Sequence, residues 1–322
     1  MLTHQRIQEY LQAYALQDRR WKHQWQELPE TESCPSLYVQ SFEPEAYEKT
    51  VLVIHGYFDH SATNRLLLFH LLEKGFRVLL FDLPGHGLSG GKRHEVETFS
   101  IYQIALNRVI NTEEGTLYAI GHSTGGGLLA EYMLNGGQKL QKAVLAAPLL
   151  RSSPWWPSRA GAFVLGPFKQ THPRRFRMHV GFPGFMEEIK RDPLQGAAIS
   201  FTWARALVQW ERYMRSLSPL PGRNVQILQG NNDETIDWTF NMQAYHRLFP
   251  QAEKIFIENG SHALLNERSH IRAVVFSSSA SFFEIVVCAF HADKDTRRGA
   301  GCRNRLEAAV YAGGSSIVWM DF

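Results

Sequence analysis

Thr116-Leu-Tyr-Ala-Ile-Gly-His-Ser-Thr-Gly-Gly-Gly-Leu-Leu-Ala130 is the stretch on which the reading of this chain turns. Residues 117–120 form a short apolar run with the composition of a buried strand, and residues 128–134 have that of a helix. Between them stands Gly121-His122-Ser123-Thr124-Gly125. A serine on a sharp turn from strand to helix, with glycine two residues to either side, is a nucleophile elbow. The glycines admit neighbouring backbone where a Cβ would block it. The helix that follows points its first N–H groups at the place where negative charge would develop.

Outward from the elbow, strands and helices alternate. Upstream, 51–54 reads as a buried strand, 64–74 as a helix closed by Gly75, 77–82 as a strand and 97–110 as a helix. Downstream, 142–147 reads as a strand; after a break, 224–229 is a strand, 238–248 a helix and 253–257 a strand. Apolar strands alternating with helices predict an α/β fold: a mostly parallel sheet with helices on both faces. Ahead of this unit, 3–18 carries Ile7, Tyr10, Leu11, Tyr14 and Leu16 at helical spacing, and 21–28 with 36–42 suits an antiparallel hairpin.

The alternation stops between 151 and 222. Prolines stand there at 154, 157, 167, 173, 183, 193, 219 and 221, among Trp155, Trp156, Phe163, Phe168, Phe176, Phe182, Phe185, Trp203 and Trp210. Eleven Lys/Arg face four Asp/Glu in this segment, so its positive excess is larger than the whole chain's net charge of +3. We expect a cap inserted into an α/β core made of 1–150 and 223–276, with most of the aromatics forming the cap's own core. A few would line an apolar cleft, and the basic aromatic surface would allow transient contact with a membrane surface. The chain from 277 to 322 shows no continuation of the rhythm and is set aside as an extension without a functional account.

Composition narrows the classes further. Hydrophobic content of 44% with 20% charged residues describes an ordinary globular chain. A net charge of +3 without a basic arm gives no reason to expect nucleic acid. Cys34, Cys288 and Cys302 are scattered, which favours reduced thiols over a disulfide framework or a zinc site. No secretory leader pattern opens the chain and no run of about 18 apolar residues occurs, so the expected location is cytoplasmic, peripheral to a membrane at most.

A serine hydroxyl is a weak nucleophile near neutrality and needs a positioned base, which in turn needs an orienting acid. In this fold logic the chain order is serine, acid, histidine, on loops after successive strands. Gly230-Asn-Asn-Asp233 follows the strand at 224–229, and Glu258-Asn-Gly-Ser-His262 follows the one at 253–257. The candidates are Ser123, Asp233 and His262. Asp237 competes as the acid but sits where a helix cap is expected, farther from the strand end. Two backbone N–H donors complete the set: Thr124, after the serine, and Tyr57 in the loop His55-Gly56-Tyr57-Phe58, with Phe58 the alternative. His86 and His122 are read as structural, hydrogen-bonding around their turns. No metal and no cofactor is called for.

At this point the chain resembles the serine-hydrolase branch of the α/β-hydrolase superfamily, and within it the monoacylglycerol lipase and lysophospholipase group. The resemblance rests on His55-Gly-Tyr-Phe-Asp-His-Ser61 for that group's H-G-x-x-E-H-S. It rests also on Phe81-Asp-Leu-Pro-Gly-His-Gly-Leu-Ser-Gly90 for its D-x-x-G-H-G-x-S-x-G, on the elbow, and on the two loops that carry Asp233 and His262. It covers roughly 36–270. It implies Ser123 as nucleophile, Asp233 as acid, His262 as base, and Tyr57 and Thr124 as oxyanion donors. The implied substrate is a small acyl ester, a monoacylglycerol or a lysophospholipid. Phe58 departs from the small residue common in the group and narrows the expected acyl pocket. Acyl transfer, thioester or amide hydrolysis, and a non-catalytic binding protein on the same scaffold are the alternatives; a serine at the elbow argues against chemistry that needs aspartate there.

Overall fold

The computed structural model describes residues 2–166, 168–174, 181–284 and the backbone of 317–318. Helix α1 (His4–Ala13) opens the chain; Thr3 accepts from Arg6 N–H at 3.3 Å as its cap, and Ile7, Tyr10 and Leu11 are buried. The helix is shorter than the expected 3–18, because Ala15 turns to φ 52°. Strands β1 (Lys22–Leu28) and β2 (Leu37–Glu43) pair antiparallel in the register Lys22↔Glu43 to Leu28↔Leu37, the expected hairpin.

The alternating unit follows: β3 (Thr50–Ile54), α2 (Arg65–Glu73), β4 (Arg77–Phe81), α3 (Ser100–Asn111), β5 (Leu117–His122), α4 (Thr124–Leu134) and β6 (Leu140–Ala146). After a long insertion come β9 (Asn224–Gly230), α8 (Trp238–Leu248), β10 (Glu253–Ile257) and α9 (Ser269–Glu284). The sheet order is β1-β2-β4-β3-β5-β6-β9-β10, with Ile317–Val318 (β11) added antiparallel beyond β10. The run from β4 through β10 is parallel; β1 and β2 make it a mixed sheet.

This order fixes where chemistry can sit. The chain steps from β3 one way to β4, then returns past β3 to β5. Parallel crossovers are right-handed, so the reversal sends α2 to one face and α3 to the other. Accordingly α2 packs with α9, and α3 with α4. A crevice opens at the carboxyl ends of the strands where the order reverses, here β3 and β5. Ile54 is registered against Gly121, so the loop after β3 begins beside the serine turn.

The insertion contains α5 (Trp155–Val164), β7 (Thr171–Pro173), α6 (Phe185–Arg191), β8 (Ala198–Ser200) and α7 (Phe201–Ser216). β7 and β8 form a small antiparallel ladder. Its aromatics do not mainly form a core of their own, contrary to expectation. Trp155, Trp203 and Trp210 are buried in the main core, because α7 turns Trp203, Ala206, Leu207, Trp210 and Met214 inward at helical spacing. Phe185, Met186 and Ile189 make a separate small cluster with Phe182 and Ala263. Trp156, Phe163 and Phe168 are exposed, while Phe176 lies outside the described residues.

A second correction concerns the boundary at 276. It falls inside α9, which carries buried Ile271, Val275, Phe276, Ser279, Ala280 and Phe283. Lys142 Nζ donates to the Phe282 carbonyl at 2.7 Å, and Lys49 Nζ to that of Phe283 at 3.4 Å, so two cations meet the helix's carboxyl end. Residues 285–316, with Cys288 and Cys302, lie outside the described set; Cys34 is buried and free. Among the described residues no helix is long and apolar enough to cross a membrane.

Glu131 joins α4 to the insertion. Trp210 Nε1 donates to its Oε2 at 2.6 Å and Gln103 Nε2 to the same oxygen at 2.8 Å. Burial raises the carboxyl from 4.5 to about 7, against these donors, which favour the charged form. The folded state therefore binds the proton more tightly than the unfolded one. The stability it contributes is complete below about pH 4.5 and is lost as pH rises through about 7. Glu131→Gln keeps an acceptor for both donors and has no charge to bury. Denaturant unfolding followed from pH 5 to pH 8 should show the wild type losing about 2–3 kcal/mol more than this variant over that range.

Candidate active site

The serine turn is forced by packing. Ser123 has φ 51° and ψ −112°, a backbone state that costs a non-glycine residue of the order of 1–3 kcal/mol. The turn is closed on both sides: Ser123 N–H donates to the Ala146 carbonyl at 2.9 Å, and the Ser123 carbonyl accepts from Gly127 and Leu149 N–H, each at 3.0 Å. A Cβ on Gly121 would collide with the backbone of Gly125, and one on Gly125 with the carbonyls of Ile54 and His55. Both motif glycines are thus required by contact. The helix begins at Thr124, four residues earlier than its apolar composition suggests, since Gly125, Gly126 and Gly127 belong to its first turn.

Three sequence-predicted side chains meet there. Ser123 Oγ lies 3.0 Å from His262 Nε2, and His262 Nδ1 lies 2.7 Å from Asp233 Oδ2. Asp233 is buried, and its second oxygen accepts from Thr235 N–H at 2.8 Å and Ile236 N–H at 3.2 Å. Burial opposes its charge, but His262 and these donors hold the carboxyl below the usual aspartate range. A carboxylate at Nδ1 leaves Nε2 as the nitrogen able to take a proton from the serine. Asp237 does what its position suggested and caps α8, accepting from Phe240 N–H at 3.3 Å.

The loops that carry Asp233 and His262 are tied to each other. Asn232 N–H donates to the Gly260 carbonyl at 2.9 Å, and Asn259 N–H to Asn231 Oδ1 at 2.8 Å. Gln229 adds a donor to Asp233 at 3.3 Å, and Ser261 N–H is held by Glu267 at 2.9 Å. His122, read as structural, has a definite task. Burial first, then the neighbouring His262, lowers it to about 4, so it carries one proton. Nε2 donates that proton to the His262 carbonyl at 2.7 Å, while Nδ1 faces Asp59 Oδ2 at 3.8 Å. The unspecified position before the serine thereby fixes the backbone of His262.

The loop after β3 reaches the same place. A Cβ on Gly56 would stand 3.3 Å from Ser123 Cβ and 3.4 Å from Asp59 Oδ2. His55 Nε2 accepts from Leu83 N–H at 2.9 Å, so its Nδ1 carries the proton and donates to the Gly56 carbonyl at 2.8 Å. Asp82 anchors the loop's far end, accepting from Ser61 N–H and Leu88 N–H at 2.7 Å each. Among the described residues neither Tyr57 N–H nor Thr124 N–H has an acceptor, which leaves both donors available beside the serine. The Tyr57 ring stacks on Trp203 at 3.8 Å and its hydroxyl donates to the His94 carbonyl at 2.6 Å. Phe58 has φ 77° and packs against Tyr57 and His94. His86 Nδ1 donates to the Pro84 carbonyl at 2.9 Å, inside its own turn.

The chain is similar to known proteins. A family model described as Hydrolase_4, serine aminopeptidase S33, matches residues 45–269. A probable lysophospholipase L2 from Haemophilus influenzae is 22% identical over 298 residues, covering 80% of this chain and 95% of that protein. A monoacylglycerol lipase from Paleococcus ferrophilus superposes with a TM-score of 0.65 at 22% identity, covering 76% of this chain and 99% of its own. A monoglyceride lipase from Saccharomyces cerevisiae, solved with a substrate analogue, gives 0.68 at 17% identity over 81% of this chain and 95% of its own.

The two aspartates separate cleanly by experiment. Asp237→Ala should lower unfolding free energy by about 1 kcal/mol, the cost of a lost cap, and leave Ser123 as reactive toward a fluorophosphonate as before. Asp233→Asn should slow that labelling by about 10⁴-fold at near-normal stability. Equal labelling rates in the two variants would contradict the geometry.

Proposed function

Because the chain belongs to the serine aminopeptidase S33 (Hydrolase_4) family of α/β-hydrolases, we propose that it is a cofactor-independent serine hydrolase of carboxylic esters. The observation that carries this reading is the unbroken line from Ser123 Oγ through His262, at 3.0 Å, to Asp233, at 2.7 Å. In the mechanism, Ser123 Oγ attacks the ester carbonyl as His262 Nε2 takes its proton. The carbonyl oxygen becomes an oxyanion held by the N–H groups of Tyr57 and Thr124. The tetrahedral intermediate collapses, His262 returns the proton to the departing alkoxide, and an acyl-serine remains. Water then attacks the acyl group with His262 again as base, releasing the acid and restoring Ser123. Asp233 stays ionised throughout and holds the imidazolium that forms.

Similarity to the lysophospholipase and monoacylglycerol lipases supports a lipid-like acyl substrate, a monoacylglycerol or a lysophospholipid. Residues 151–222 serve as a cap over the site, inserted between β6 and β9. Trp156, 66% exposed, and Phe168, 86% exposed, stand on this cap near Arg159 and Lys169, and give it an apolar and basic surface suited to touching a membrane that carries the substrate.

Fluorophosphonate labelling of the purified protein, with Ser123→Ala as control, tests the nucleophile. We expect labelling of the wild type and none of the variant. Turnover of esters of graded chain length, lysophospholipids and aminoacyl amides then tests the substrate class. The reading predicts ester hydrolysis lowered about 10³-fold or more by Ser123→Ala. Amide cleavage without ester cleavage would overturn it in favour of an aminopeptidase.

A further inference from the structure

A second hydroxyl, imidazole and carboxylate are lined up behind the loop that carries Tyr57. His60 is fully buried at the start of the 3-10 turn Ser61–Asn64. Its Nδ1 lies 3.3 Å from Tyr10 Oη, and its Nε2 lies 2.9 Å from Asp192 Oδ2. Tyr10 Oη already accepts from Ala62 N–H at 3.1 Å, so its own proton points to Nδ1 and the imidazole proton to Asp192. The other Asp192 oxygen accepts from Tyr14 Oη at 2.5 Å and Leu194 N–H at 2.8 Å. One carboxylate thus joins α1, the loop after β3 and the end of α6.

This line does not repeat the chemistry at Ser123. Tyr10 is 5% exposed, and burial together with Asp82 pushes its phenol well above the normal value, so it neither meets a substrate nor gives up its proton. Its effect is to hold. A second tie lies three residues on, where Gln195 Nε2 donates to Asp59 Oδ1 at 3.2 Å and Gln195 Oε1 accepts from Arg174 at 2.9 Å. Gly196 packs so closely on the Phe58 ring that a Cβ there would overlap it. Residues 192–196 therefore grip Phe58, Asp59 and His60, the three residues that follow Tyr57. Phe58, at φ 77°, does not keep that backbone by local preference, so the loop depends on outside ties.

We infer that Asp192, backed by Tyr14, is a positioning residue that presets the 56–60 loop so that Tyr57 N–H meets the developing oxyanion. The inference rests on the reading of Ser123 and Tyr57 given above. A donor that must first be brought into place is lost from the transition state more than from the substrate complex, so kcat suffers and KM does not.

The test uses the full-length protein as wild type, Asp192→Ala, Asp192→Asn and Tyr14→Phe. It measures kcat and KM for p-nitrophenyl butyrate, thermal unfolding, and amide hydrogen exchange in 56–60. Asp192→Ala should lose about tenfold to a hundredfold in kcat with KM within about twofold, and exchange faster in 56–60. Asp192→Asn should recover to within about threefold of wild type, because His60 can switch tautomer and accept from the amide. Tyr14→Phe, which removes one hydroxyl and no packing volume, should lie between them. Wild-type kcat and exchange in both Asp192→Ala and Tyr14→Phe would overturn the inference, as would an Asp192→Asn loss equal to that of Asp192→Ala. If the wild type hydrolyses no ester, the reading of Ser123 fails; unchanged exchange at 56–60 in the variants would then overturn the tie as well, and faster exchange would uphold it.

Discussion

A serine backbone held in the left-handed region is the constraint from which the rest follows. Ser123 can stay there only while Ala146, Leu149 and Gly127 supply its hydrogen bonds and while nothing bulkier than hydrogen stands at 121 and 125. Those needs call for β5 between β3 and β6, and for α4 starting at once after the turn. With β5 central, the carboxyl ends of β3, β9 and β10 come level with it, and the loops that leave them can converge on one hydroxyl. The strain is local, and the whole parallel sheet opposes its release.

Several polar residues around the turn are arranged so that one buried group settles the next. His55 accepts from Leu83 and is thereby obliged to donate to Gly56. His122 gives its single proton to the His262 carbonyl. Asp82 gathers the 3-10 turn after β3 and the segment after β4 on one carboxylate, while Asp192 gathers α1, the same loop and α6 on another. A half-satisfied network of this kind would be more costly than an apolar core, because a buried unpaired polar atom loses water and gains nothing. The loops near Ser123 are consequently defined by pairing and not by their own turn preferences.

What could be read in the sequence follows from how local the signals are. The elbow, the strands and the loops ending in Asp233 and His262 are short patterns whose meaning depends on neighbours within a few residues. The order of Ser123, Asp233 and His262 is legible in them, and strand ends and helix caps differ in chemistry: Asp233 lies 2.7 Å from His262 while Asp237 caps α8. The tie of Tyr14 to Asp192 links positions 178 residues apart, and nothing near either residue announces it. The insertion was misjudged for a related reason. Aromatic content tells that a segment is buried somewhere, but the facing partner of Trp210 is Glu131, far back in α4. Likewise the polar run Ser277, Ser278 and Ser279 looked like an ending, although Ser279 is buried on the inward face of α9 and donates to the Val275 carbonyl at 2.8 Å.

The unequal seating of the insertion has a consequence for how it answers damage. Its last helix, α7, is welded into the main core through Trp203, Trp210 and Met214. Helix α5 gives that core only Trp155 and shows Trp156 and Phe163 to solvent, and α6 rests on a small cluster of its own and is moored at its end by Asp192. The segment cannot lift away as one body. Truncating a ring on α7 therefore loosens the sheet as well as the insertion, whereas truncating Trp156 leaves both packed.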